Sequence, residues 1–165
     1  MKKLAYIILF IFFSSAKAEM VNDIIIEGNK RISKETIKIY GEIELKKDYS
    51  ENDLDQILKN LYSTNFFEDV RVELNKNTLT VTLKEYPVVN QLIIFGEKST
   101  KYKEQIKKLI KLKENRSFVK SFLAKDIDTI KKLYASAGYN FSKVEAKIKK
   151  IDEENIDLVI EIVRG

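Results

Sequence analysis

One pattern occurs twice in this chain, and that repetition limits the fold more than any other feature. Asp23-Ile24-Ile25-Ile26-Glu27-Gly28-Asn29-Lys30 returns as Asn90-Gln91-Leu92-Ile93-Ile94-Phe95-Gly96-Glu97-Lys98, each an apolar run closed by glycine. Farther along, Leu61-Tyr62-Ser63-Thr64-Asn65-Phe66 returns as Leu133-Tyr134-Ala135-Ser136-Ala137-Gly138-Tyr139. The offsets are 68 and 72 residues, so each unit is about 70 residues long and the second holds a small insertion.

Within the first unit the hydrophobic period changes in a fixed order. Val21 to Glu27 is rich in β-branched residues and stops at Gly28, which predicts a strand and a turn. Ile32 and Ser33 supply a staple and an N-cap for a short helix to about Ile43, with Ile37 as staple partner. Tyr49, Ser50, Asp53 and Leu54 mark a second helix start, a capping box inside a staple. Leu54, Ile57, Leu58 and Leu61 then form one apolar helical face, and Asn65 ends it in a left-handed turn. From Val70 the period becomes two: Val70, Val72 and Leu74, then Leu79, Val81 and Leu83, around a turn at Asn75-Lys76-Asn77. The order is β-α-α-β-β, and it predicts an α+β unit with two helices on one face of a three-stranded mixed sheet.

The second unit repeats this order. Leu92 to Phe95 is its strand, and a helix runs from about Thr100 to Leu112 with Ile106, Leu109 and Ile110 inward. A longer helix starts near Ser117, carries Leu123, Ile127, Ile130 and Tyr134 on one face, and stops at Gly138. A hairpin sets Val144, Ala146 and Ile148 against Ile156, Leu158, Ile160 and Ile162, across Asp152-Glu153-Glu154-Asn155. Phe66, Phe67, Tyr139 and Phe141 sit where helix meets hairpin and are expected in the cores. Between the units stands Glu85-Tyr86-Pro87-Val88, with the only proline. A proline directly after a strand stiffens the chain, so a restricted angle between units is expected.

Lys2, Lys3, the ten-residue apolar run Leu4 to Phe13, and Ala16-Lys17-Ala18 predict a cleavable secretory leader, cut between Ala18 and Glu19. Ten apolar residues make a helix of roughly 15 Å, about half of a hydrocarbon core. The expected division is therefore leader 1–18, first unit 19–87 and second unit 88–165. Removing eighteen residues from 165 leaves 147. Lys2, Lys3 and Lys17 leave too, so 30 basic residues become 27 against 25 acidic ones, a net +2. That balance argues against nucleic acid as a partner.

The chain has no cysteine and no histidine. These absences remove the usual general base, the thiol nucleophile and the commonest metal ligands, so no enzyme, cofactor or small-molecule substrate is expected. Asp152-Glu153-Glu154 lacks the alternating spacing of a calcium loop and is expected to be a solvated turn. Lys107, Lys108, Lys111 and Lys113 make one helix basic; a solvated face is the first reading and a membrane surface the second.

Three stretches in order resemble a known family: IIIEGNKRIS (24–33), LYSTNFFEDVRVEL (61–74) and TVTLKEYPVVNQLIIFGEK (80–98). They look like the POTRA (polypeptide-transport-associated) domains of BamA-type outer-membrane assembly factors, except that Asn65 stands where the family usually has glycine. The resemblance covers nearly the whole mature chain. It implies a periplasmic binding module whose partners are unfolded outer-membrane protein clients and assembly-complex lipoproteins. It also implies that the second strand of each unit receives them by strand addition: Val70, Arg71, Val72, Glu73 and Leu74, and Val144, Glu145, Ala146, Lys147 and Ile148. Such factors continue into a membrane β-barrel, which would tether the module to the outer membrane. No insertion activity is assigned to the residues up to Gly165. The alternatives are a POTRA module of another transporter or of a cell-division protein, and a small secreted hydrolase working with carboxylates.

Overall fold

The computed structural model describes residues 19–165. The leader features expected at Leu4–Phe13, Ala16 and Ala18 lie outside the described residues.

In the first unit β2 (Asp23–Glu27) is followed by α1 (Lys34–Gly41), α2 (Glu51–Ser63), β4 (Phe67–Asn75) and β5 (Thr78–Glu85). The second has β6 (Val88–Phe95), α3 (Thr100–Leu109), α4 (Lys120–Ser136), β7 (Lys143–Lys150) and β8 (Asn155–Val163). Each unit is an α+β fold with a three-stranded mixed sheet, ordered β2-β5-β4 and β6-β8-β7. The last strand of each unit lies in the middle. It pairs in parallel with the first strand and antiparallel with the second. A short ribbon absent from the sequence reading joins β1 (Glu19–Met20) to β3 (Asp48–Tyr49).

The helices start where local chemistry favours it. Ser33 accepts the Thr36 N–H, and Ser50 and Asp53 close a capping box, with the Ser50 N–H 2.8 Å from Asp53 Oδ2. Asn65, at φ 57°, and Gly138, at φ 92°, end α2 and α4. These ends are 73 residues apart, so the true register of the repeat there is 73 rather than 72. Leu61 and Tyr134, both fully buried, are the equivalent residues, and Ala135 stands at the place of Tyr62.

Two cores result. One holds Val21, Ile26, Ile37, Leu61, Phe67 and Val81; the other holds Val89, Ile106, Ile130, Tyr134, Leu158 and Ile160. Three expectations differ from the structure, and one edge residue is more exposed than its neighbours. Leu109 is about half exposed, because α3 ends there, before Leu112, and the chain continues extended so that Ile110 and Leu112 enter the core. Ser117 does not start a helix; it bridges to Val88, and α4 begins at Lys120 without a side-chain cap. Ile148 is half exposed, since it lies toward the hairpin end of β7, away from the α4 contact. Phe141 is 85% exposed, lying in the loop between Gly138 and β7.

The glycine after each first strand fits against the central strand. A Cβ on Gly28 would lie 2.0 Å from the Leu83 carbonyl oxygen, and one on Gly96 2.1 Å from that of Ile162. Both glycines also have a positive φ, 83° and 82°. Gly96→Ala should therefore destabilise its unit by about 2 kcal/mol or more. Gly138→Ala, with open space around it, should cost about 1 kcal/mol. Urea unfolding of the two variants checks the difference.

Candidate functional site

Because the last strand is central, each sheet has two free edges to manage. The edge beside the first strand is covered at its start. In unit two the segment before α4 runs along β6: Val89 N–H donates to the Arg116 carbonyl (2.9 Å) and the Asn115 N–H to the Val89 carbonyl (2.8 Å). Glu114 Oε1 takes the next outward donor, Leu92 N–H, at 3.0 Å. Unit one does the same with Lys46 and Lys47 on Val21, and Asp23 Oδ1 accepts the Ile24 N–H. Lys46 and Asn115, both near φ 60°, make the equivalent turns. No sequence pattern announced this cover.

The other edge is the second strand, β4 or β7, which pairs only with the central strand. On β4 the Val70 N–H points away from β5, toward the Tyr62 hydroxyl at 3.1 Å. In an antiparallel strand a residue's N–H and C=O point to the same side, and successive residues alternate. Val70, Val72 and Leu74 therefore present backbone groups outward, while Arg71, Glu73 and Asn75 pair with Thr82, Thr80 and Thr78. The same topology and register on β7 turn Val144, Ala146 and Ile148 outward, while Glu145, Lys147 and Lys149 pair with β8. The outward residues are thus those whose side chains face the helices, and the charged side chains lie on the opposite face of the sheet. The ten edge residues expected from sequence do fall on these two strands.

Each unit also locks the loop after its first strand with a buried carboxylate, and the two locks have opposite polarity. In unit one Glu85, near the end of the central strand, accepts the N–H groups of Lys30, Arg31 and Ile32 at 2.7, 3.0 and 3.0 Å. Its second oxygen lies 3.1 Å from Arg31 Nε, an ion pair without hydrogen-bond alignment. The Arg31 guanidinium also donates to the Tyr86 carbonyl at 3.0 Å. In unit two the acid, Glu97, follows the glycine directly, and the base, Arg164, stands two residues past Ile162, where Glu85 stands past Leu83. Glu97 bonds Arg164 Nε (3.0 Å), the Ser99 N–H (2.6 Å) and the Tyr134 hydroxyl. The guanidinium lies 4.9 Å from the Tyr102 ring centre and 5.1 Å from that of Tyr139. Burial disfavours the charge on Glu97, but hydrogen bonds from Arg164, Tyr134 and Ser99 outweigh it and hold the carboxyl at about 2. The Tyr134 hydroxyl is pushed upward by burial and by that carboxylate.

At the joint, only Tyr86 and Pro87 separate β5 from β6. Pro87 accepts the Phe118 N–H at 2.7 Å, and Lys30 reaches across to Glu154 (3.2 Å) and Glu153 (3.5 Å). The Glu85 carboxylate itself bonds within unit one. The Asp152 carboxylate is used by the turn, accepting the Glu154 and Asn155 N–H groups, both at 2.7 Å.

The chain matches the POTRA family, described as surface antigen variable number repeat, over residues 19–86 and again over 87–165. It is 26% identical over 145 residues to the outer membrane protein assembly factor BamA of Neorickettsia risticii, covering 88% of this chain and 20% of that protein. With BamA of Neisseria meningitidis serogroup B the identity is 29% over 148 residues, covering 88% and 18%. The chain thus spans about a fifth of the length of these curated relatives. Among solved structures, the N-terminal domain of Omp85 from Thermosynechococcus elongatus superposes with a TM-score of 0.58 at 16% identity, covering 90% of this chain and 64% of that one. POTRA1-2 of Anabaena Omp85 gives 0.50 at 12% identity, covering 92% and 98%. At these identities the structural likeness bears on fold alone.

Glu97 gives a pH prediction. Its folded pKa, about 2, lies below the ordinary 4.5. Its contribution is therefore present above pH 4.5 and is lost as pH falls from there toward 2. Glu97→Gln should cost on the order of 2 kcal/mol at neutral pH and flatten that acid limb. Denaturant unfolding between pH 7 and pH 3 checks both.

Proposed function

This chain belongs to the POTRA family, and on that premise we propose that it is a periplasmic scaffold region of an outer-membrane β-barrel assembly factor. In this reading it handles unfolded outer-membrane protein clients, and assembly-complex lipoproteins, by strand addition to β4 and β7. The observation that carries the reading is the edge geometry: in both units a loop covers the start of the first strand's outer side, and the second strand turns Val72 and Leu74, or Val144, Ala146 and Ile148, outward from the sheet. Backbone hydrogen bonding is nearly indifferent to side-chain identity, which suits a module that must hold many unrelated extended chains. The likeness to relatives named as BamA supports this compartment and task, and two units in tandem would offer more than one place to hold a client.

A scaffold needs no reacting group. Among the described residues no cluster of His, Cys, Asp and Glu is arranged to hold a metal. The most strongly perturbed carboxylate, Glu97, is held ionised by an arginine and a tyrosine, the opposite of an acid poised to give up a proton. The binding energy comes instead from backbone groups and from charged side chains flanking the added strand.

The test uses a synthetic peptide with the alternating pattern of a barrel strand. Its addition should slow amide exchange along β4 or β7, and N-methylation of alternate peptide nitrogens should abolish the effect. Ala146→Pro and Val72→Pro remove outward N–H groups without cutting the internal ladder. The double variant should keep its fold and lose the peptide. Retained binding by that variant, or by the N-methylated peptide, would rule out strand addition.

A further inference from the structure

The two edges differ in ways that the repeat does not require. On β4 the first outward donor, Val70 N–H, is already taken by Tyr62, whose hydroxyl also lies 3.4 Å from Asp69 Oδ1. A register shift between Phe67 and Asp69 distorts the strand just before it. Val72 and Leu74 are what remain fully open. On β7 neither obstacle exists: Ala135 stands where Tyr62 does, and the pairing from Lys143 to Lys150 has no register shift. Val144, Ala146, Ile148 and Lys150 are open in succession.

Charge separates the edges as well. β4 carries Glu68, Asp69 and Glu73 against Arg71, three acids to one base, a net −2. β7 carries Lys143, Lys147, Lys149 and Lys150 against Glu145, four bases to one acid, a net +3. At its far end β7 runs into a cleft of about 660 Å³ between the units, walled in part by Pro87, Phe118 and Ile148. Lys120 and Lys150 line this cleft and among the described residues neither is ion-paired, but Glu68, Glu85, Asp152, Glu153 and Glu154 line it as well, so the charge that distinguishes β7 lies on the strand itself.

We propose that strand addition, on the reading above, is directed to β7, that its occupant is an extended segment of a client rich in acidic residues, and that Tyr62 guards β4 against the same use. The occupant's backbone pairs with Val144, Ala146 and Ile148. Its acidic side chains lie beside Lys143 and Lys149, the lysines on the solvated face of β7 that no acid of the sheet already holds; Lys147 is paired with Glu161 at 2.8 Å. Hydrogen bonds supply affinity without sequence, and the lysine row supplies selection and encounter rate.

The probes are two capped peptides of equal length, one alternating valine with glutamate and one alternating valine with lysine. The valine–glutamate peptide should protect the amides of Val144, Ala146 and Ile148 and bind about ten-fold more tightly than its lysine counterpart. Added salt should reduce that difference. Ala146→Pro should lose this binding, whereas Val72→Pro should not. If Ala146→Pro fails to fold, the K143E/K149E variant keeps the question open to measurement, and it should reverse the peptide preference. Tyr62→Phe should make the Val70 amide newly protectable by peptide. Protection of Val72 and Leu74 in the unaltered chain, or a preference for the lysine peptide, would overturn this inference while leaving strand addition intact. Protection at neither edge would remove both.

Discussion

The position of the last strand decides most of what this protein presents to its surroundings. In each unit the chain returns to pair between its first two strands, so β5 and β8 make every ladder hydrogen bond within their sheets. The first and second strands are left as edges. That topology requires the first strand to run parallel to the last, with two helices crossing one face between them. It also brings the glycine after the first strand against a carbonyl of the central strand, where a methyl group would not fit. Edge exposure, helix placement and the tight glycine contact all follow from it.

The two edges are then treated differently by ordinary means. A loop, a turn with positive φ and one side-chain oxygen per unit occupy the start of the first strand's outer side. The second strand is left with charges on its solvated face, a familiar way to keep an edge soluble. Such charges discourage indiscriminate pairing, yet they leave the backbone available to a segment of complementary charge. On the proposed reading, solubility and recognition draw on the same lysines of β7.

Local chemistry was legible in the sequence; distant pairing was not. The capping box of Ser50 and Asp53, the left-handed end at Asn65 and the alternation of Val70, Val72 and Leu74 depend on neighbours within a few residues. Glu97 and Arg164 are 67 positions apart, and nothing in either neighbourhood marks them as partners. Tyr62 and Val70 are close in sequence, but their contact depends on how α2 is rotated over the sheet. That rotation was hidden by placing Tyr62 and Tyr134 in register, when Leu61 and Tyr134 are the equivalents. The pattern alone places Leu109 and Phe141 inward; Leu109 is half exposed because its own helix ends there, and Phe141 is exposed because it lies in the loop before β7.

The opposite polarity of the two locks has a consequence for folding. Two similar units joined by two residues are at risk of exchanging strands, since either central strand could in principle seat beside either first strand. Here the exchange carries its own penalty. Pairing the first unit's central strand with the second unit's first strand would bring Glu85 against Glu97. The reciprocal pairing would bring Arg164 against Lys30 and Arg31. The first error would bury two carboxylates together and the second would crowd three partly exposed cations, while the correct partners neutralise each other. Charge sign near the end of each last strand thus favours its own first strand over that of the neighbouring unit.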